Sequence, residues 1–137
     1  MRSVVSAIVL VSVVWLSLEP ATARASSPPP AAPYAPLVQG WEQFFKVTWE
    51  PLERKARPYV GGYVSNDWGF TATRVQLLVD GLDSSGRVVS QTVTWLGQSI
   101  TPGTRVYFEV QAPQPAASYR VSVFAFDWLQ TVSIQTP

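Results

Sequence analysis

Residues 73–95 read TRVQLLVDGLDSSGRVVSQTVTW, and this stretch decides the fold class. From Thr73 to Leu82, Val75, Leu77 and Val79 fall on one side, and Arg74, Gln76, Leu78 and Asp80 on the other. A period of two is the side-chain period of a β-strand. Asp83-Ser84-Ser85-Gly86 then interrupts the pattern. Aspartate bonds its own downstream backbone and glycine accepts a positive φ, so these four residues predict a hairpin turn. Arg87 to Trp95 returns as the partner strand, rich in valine and threonine.

The same period extends in both directions. Towards the C-terminus, Thr101-Pro102-Gly103 has the order of a tight turn. Thr104 to Gln111 follows, with Val106, Phe108 and Val110 inward and Arg105, Tyr107 and Glu109 outward. After the proline-bearing loop Ala112 to Ala117, Ser118 to Phe126 sets Tyr119, Val121 and Val123 against Arg120, Ser122 and Phe124. Thr131 to Ile134 is expected to add a short edge strand.

Towards the N-terminus, Tyr59 to Val64 puts Val60, Gly62 and Val64 on one side and Tyr59, Gly61 and Tyr63 on the other. Its two glycines imply a bulge or a close backbone contact. Ser65-Asn66-Asp67-Trp68-Gly69 reads as a turn cluster. Phe44 to Trp49 reads as a first strand ended by Pro51. Glu53 to Pro58 reads as a solvated loop whose three cations, Arg54, Lys55 and Arg57, form a small basic patch.

No segment keeps an apolar period of 3.6 over three turns. About seven short strands with regular turn signals predict an all-β immunoglobulin-like antiparallel β-sandwich. The chain has no cysteine, so the disulfide of antibody domains is absent and the core alone must hold the fold. Aromatic residues, 12% of the chain, supply much of that burial.

Ahead of the sandwich, Met1-Arg2-Ser3 is a short basic start and Val4 to Leu18 an apolar run broken by Glu19-Pro20. Ala21-Thr22-Ala23 and Ala23-Arg24-Ala25 both fit the small-residue cleavage pattern of a secretory signal peptide. Residues 1–25 are therefore expected to be a leader cut after Ala25, with Ala23 the second choice. The run is shorter than the about 20 apolar residues of a spanning helix. Contact with a membrane is expected only through an uncleaved leader. Residues 26–40, beginning SSPPPAAPYAP, form a Pro/Ala/Ser-rich linker of polyproline character, with Tyr34 expected in solvent. The domain itself spans residues 41–137. Secretion, into a periplasm or cell envelope, is the expected localisation.

Several stretches resemble the FxLYD family of extracytoplasmic immunoglobulin-like domains and, more loosely, LEA14-type sandwiches. They are Gly62-Tyr63-Val64-Ser65-Asn66, Val75 to Asp83 with Gly86, Pro102-Gly103, Phe108-Glu109-Val110 and Tyr119-Arg120-Val121-Ser122-Val123. The resemblance spans roughly residues 58–127. The family's namesake box is not intact, because Val75 to Asp80 keeps its apolar spacing without its aromatics. The resemblance implies a sandwich outside the cytoplasm and no known catalytic residues.

Charge and residue types narrow the chemistry. The formal net charge is +1, and removing Arg2, Arg24 and Glu19 with the leader leaves eight basic and eight acidic residues. That balance argues against nucleic acid, whose binders carry a basic excess. With neither histidine nor cysteine, a serine–histidine–aspartate triad and the usual zinc sets are impossible within this chain. No cofactor is expected.

Asp80 and Asp83 are the pair a carboxylate hydrolase would need, but a spacing of three puts them on opposite faces unless Gly81 bulges. The stretch Asp80 to Gly86 has the look of a calcium loop, with Leu82 where an oxygen ligand belongs. Asp83 is read as a turn former.

The suggestive side chains are Tyr63, Trp68, Tyr107, Phe124, Phe126 and Trp128, all on turn or outward positions of this strand phase. Sharing one face, they would form a partner or ligand surface. Otherwise they would lie beneath the N-terminal segment or the tail. The expectation is a non-catalytic binding or structural module of the cell envelope. It would act through an aromatic sheet face or an edge strand, on a protein or glycan partner. A small carbohydrate-binding module is the alternative and a carboxylate hydrolase the third reading.

Overall fold

The structure is a computed structural model and describes residues 34–130. The leader and the Thr131–Ile134 segment lie outside the described residues. Six strands follow a single 3₁₀ turn, Trp41–Gln43. They are β1 (Phe45–Arg54), β2 (Arg57–Asn66), β3 (Thr71–Leu82), β4 (Val88–Trp95), β5 (Arg105–Gln111) and β6 (Ser118–Leu129). All pairings are antiparallel. One sheet has the order β1-β2-β5 and the other β4-β3-β6, so the chain is an all-β sandwich.

Alternation explains the core. Val60 and Val64 of β2, with Phe108 and Val110 of β5, face Val75, Leu77 and Val79 of β3 and Val121 and Val123 of β6. Phe45 joins from β1, and Ile100 joins through its bridge to Ala72. A fully buried leucine such as Leu77 is worth several kcal/mol: truncation to alanine typically costs about 2–5 kcal/mol.

The inward positions read for β3 and β5 hold. Elsewhere the structure corrects the sequence reading. β1 does not stop at Pro51 but runs on to Arg54, and Pro51 pairs with Val60. Because β1 is an edge strand, a missing N–H there spoils no interior ladder. Glu53 to Pro58 is no loop: Arg54 pairs with Arg57, leaving Lys55-Ala56 as a two-residue hairpin. Both residues have positive φ (50° and 59°), as a type I′ turn requires.

The expected close contact in β2 falls at Gly62. A Cβ there would land on the Thr48 carbonyl oxygen and 2.7 Å from the Trp49 Cα.

Asn66, read as part of a turn, closes β2 and is fully buried. Its Nδ2 donates to the carbonyls of Phe70 (2.7 Å) and Ile100 (2.8 Å), and its Oδ1 accepts the Trp68 N–H (2.9 Å). One carboxamide thus holds the β2–β3 connection to the segment before β5. Asp83 does form the β3–β4 turn, its Oδ1 accepting from the Ser85 N–H, the Ser85 hydroxyl and the Arg87 N–H.

The second half of β6 departs from the expected phase. Gln76 pairs with Ala125 while Leu77 pairs with Val123, so Phe124 is an extra residue in β6. On the β3 side, Arg74 has φ 51° and the register shifts between Thr73 and Gln76. A bulge reverses which way the following side chains point. Phe126 and Trp128, expected outward, therefore pack against the core.

The expected linker also reaches the domain. Within Tyr34–Gly40, the Leu37 N–H donates to the Phe124 carbonyl (2.9 Å). The Tyr34 N–H donates to Gln91 Oε1 (3.1 Å), and Gln91 Nε2 donates back to the Tyr34 carbonyl (3.0 Å). The Gln91 carboxamide thus pairs with a backbone unit as a neighbouring strand would. Tyr34 keeps half its surface in solvent but is anchored, not free.

Candidate functional site

The outer face of the β1-β2-β5 sheet has a polar and aromatic surface assembled by strand register. Tyr63 of β2 and Tyr107 of β5 are cross-strand partners, with ring centroids 5.3 Å apart at 64°. They remain 37% and 48% exposed, Tyr63 on the central strand and Tyr107 on its outer neighbour. The Arg105 guanidinium carbon lies 4.1 Å from the Tyr63 ring centroid, a cation–π contact.

On the other side of Tyr107, its hydroxyl donates to Glu109 Oε2 (3.0 Å). Glu109 also takes both Nε and Nη2 of Arg54 in a bidentate pair. The Arg54 guanidinium holds the Glu109 carboxyl below its usual range, and the hydrogen bond to Glu109 raises the Tyr107 phenol. Glu109 is thus a fixed carboxylate and Tyr107 a neutral donor at neutral pH.

Gly61 gives the face its relief. A side chain there would collide with the Leu52 Cδ1 (2.6 Å) and the Tyr107 hydroxyl (2.9 Å), so the phenol lies across the bare backbone. Beside it a shallow trough of about 190 Å³ runs between β1 and the two tyrosines, edged by Thr48, Glu50 and Gly62. The surface combines rigid rings, an arginine on each flank and an acceptor already oriented. These residue types dominate the energetics of protein interfaces.

The six aromatics singled out in the sequence do not share this face. Tyr63 and Tyr107 form it. Phe124 lies on the outer face of the other sheet, edge-on to Tyr34 at 6.1 Å. Trp68, Phe126 and Trp128 gather with Phe44 and Phe45 at the end of the sandwich where β1 begins and β6 ends. Phe45 stacks on Trp128 at 5.7 Å and 9°, and Phe44 meets Trp68 edge-on at 4.8 Å. Phe44, Phe45, Phe126 and Trp128 close the core there, while Trp68 keeps 44% of its surface exposed.

The carboxylates read as a possible dyad are engaged separately. Asp83 is spent on its own turn. Asp80 is 2% exposed and takes Arg120 Nη2 (2.7 Å) and Nε (3.0 Å) on Oδ2, with Gln91 Nε2 (2.8 Å) on Oδ1. The register does shift between Gly81 and Leu82, but the shift does not bring the two carboxyls onto one group of partners. Among the described residues no three acidic side chains gather as a metal cluster, and no helix is long and apolar enough to cross a membrane.

Sequence reasoning missed Arg54 and Glu109 as a pair, because Arg54 was assigned to a loop. It also missed Trp41 and Trp49. An unbroken β1 would have placed Arg54 in the outward phase with Glu50 and Leu52. No family model, no curated protein and no solved structure matches the chain.

Proposed function

We propose that this protein is a non-catalytic binding module of the cell envelope, exported by the leader at residues 1–25. It engages a partner through the outer face of the β1-β2-β5 sheet. The single observation that carries the reading is the exposed Tyr63–Tyr107 pair held between Arg105 and the Arg54–Glu109 ion pair. Keeping two large rings half in solvent beside preoriented polar groups stabilises the isolated sandwich little. It suits a surface that is desolvated on contact.

The domain is read as immunoglobulin-like and, from its motifs, FxLYD-like. In support, β1-β2-β5 and β4-β3-β6 correspond in order to the A-B-E and C′-C-F strands of that topology.

Retention of the purified protein on cell-envelope material, compared with the Tyr63→Ala/Tyr107→Ala variant, tests the proposal. The double variant should fold with an unchanged core and lose retention about a hundredfold, the scale of two interface aromatics. Equal retention of both proteins would defeat the reading.

A further inference from the structure

The opposite sheet carries a second concave site. The Tyr34–Pro36 segment, the 3₁₀ turn and the edge of β1 enclose a cleft of about 410 Å³ over the outer face of β3 and β6. That size lies within the roughly 300–1,000 Å³ of small-ligand sites. Tyr34, Trp41 and Trp49 form its walls, and Asp80, Arg120 and Ser122 its polar floor.

Trp49 is held in place by its indole N–H, which donates to the Tyr119 carbonyl at 2.9 Å. Asp80 is held by Arg120 and Gln91, and Gln91 in turn ties down the Tyr34 backbone. Arg120 spends only Nε and Nη2 on Asp80, and its side chain is 54% exposed. Arg120 lines the cleft, and its Nη1 has no partner among the described residues.

We infer that this cleft binds a neutral saccharide of one or two rings. The lining is mixed in a way that disfavours the other ligand classes. A cation would meet the Arg120 guanidinium, and an anion would meet the Glu42 carboxylate. A wholly apolar ligand would desolvate the Arg120 guanidinium edge and the Glu42 carboxylate without giving either a partner, which is costly. A sugar carries acceptors for Arg120 and donors for Glu42, and its hydroxyls can serve Ser122 either way. Its C–H faces lie flat on aromatic rings, which Trp41, Trp49 and Tyr34 supply. The cleft opens over the other sheet, shares Trp49 with the trough at the tyrosine face, and does not rest on the proposed role of that face.

The test is a titration of the full-length protein with maltose, cellobiose and N,N′-diacetylchitobiose, followed by the indole N–H resonances of Trp41 and Trp49. At least one disaccharide should shift both signals saturably at millimolar concentration. Trp41→Ala should weaken that affinity about tenfold. Because Trp41 also packs on the core, Glu42→Gln provides the control: Glu42 is exposed, so the variant should keep its unfolding midpoint and still lose affinity several-fold. The inference is overturned if none of the three sugars moves either indole signal, or if binding survives Glu42→Gln unchanged. It is also overturned if a peptide of sequence SSPPPAAPYAP shifts these signals and the sugars do not.

Discussion

Asp80 and Arg120 sit opposite each other across the β3–β6 ladder, and only the carboxylate is buried. Arg120 grips one oxygen with two N–H groups while half its side chain stays in water. Removing one partner of such a pair strands a charge, whereas removing both need not. Arg120→Ala should destabilise the fold by about 3 kcal/mol, the low end for buried pairs, and Asp80→Leu/Arg120→Leu should recover most of the loss. Urea unfolding of the three proteins measures both effects.

Gly62 is needed because β1 passes over it at the Thr48–Trp49 peptide. Gly62→Ala has no flexible neighbour to displace, only backbone. It should cost more than about 4 kcal/mol, a size reserved for severe steric or cavity effects. Gly69, with nothing within 4 Å of a Cβ, is the control, and its alanine variant should stay within about 0.5 kcal/mol. Thermal unfolding of the two variants separates them.

The β1–β2 turn is strained by its own residues. Lys55 and Ala56 both occupy the left-handed region that asparagine and glycine fill at lower cost. Lys55→Asn/Ala56→Gly should therefore raise stability by about 1 kcal/mol while leaving the Arg54–Glu109 pair in place. A higher unfolding midpoint with unchanged binding is the expected result.

Two half-buried carboxyls contribute to the acid limb of stability. Asp83 is held below its ordinary value of 3.8, first by the Ser85 hydroxyl and then by the Arg87 N–H. Glu109 is held below 4.5, first by hydrogen bonding to Arg54. A carboxyl lowered in the folded state adds stability that is present above its unfolded pKa and lost as pH falls through the folded one. Stability should thus decline as pH drops below about 4.5 and level off beneath the lowered values. Asp83→Asn and Glu109→Gln should each flatten that slope. Tyr107 is raised from 10.0, first by its bond to Glu109, so its contribution is present below pH 10 and fades as pH climbs through the raised value. Chemical unfolding across pH, with the two variants, tests both limbs.

Local alternation made much of the sandwich legible. Val75, Leu77 and Val79, and Phe108 and Val110, lie inward because a strand of period two has no other way to bury its apolar side. Asp83 was readable because its turn chemistry is local. What stayed hidden was non-local or atypical. Lys55-Ala56 lacks the Asn-Gly signature, so a hairpin read as a loop. The extra residue at Phe124 leaves no mark in the sequence, and it turned Phe126 and Trp128 from surface to core. Tyr34 was assigned to a solvated spacer because its anchor, Gln91, is 57 residues away. Of the six aromatics, only Tyr63 and Tyr107 occupy the proposed face, because only they sit on strands of the β1-β2-β5 sheet: Phe124, Phe126 and Trp128 belong to β6 of the other sheet, and Trp68 to the β2–β3 turn.

Hydroxyl-radical footprinting of the protein, alone and in contact with cell-envelope material, tests the proposed role of the tyrosine face most directly. Alone, Tyr63 and Tyr107 should be modified readily while Phe45 and Phe108 stay inert in the core. With envelope material present, both tyrosines should become protected. Unchanged reactivity at both rings would contradict the account.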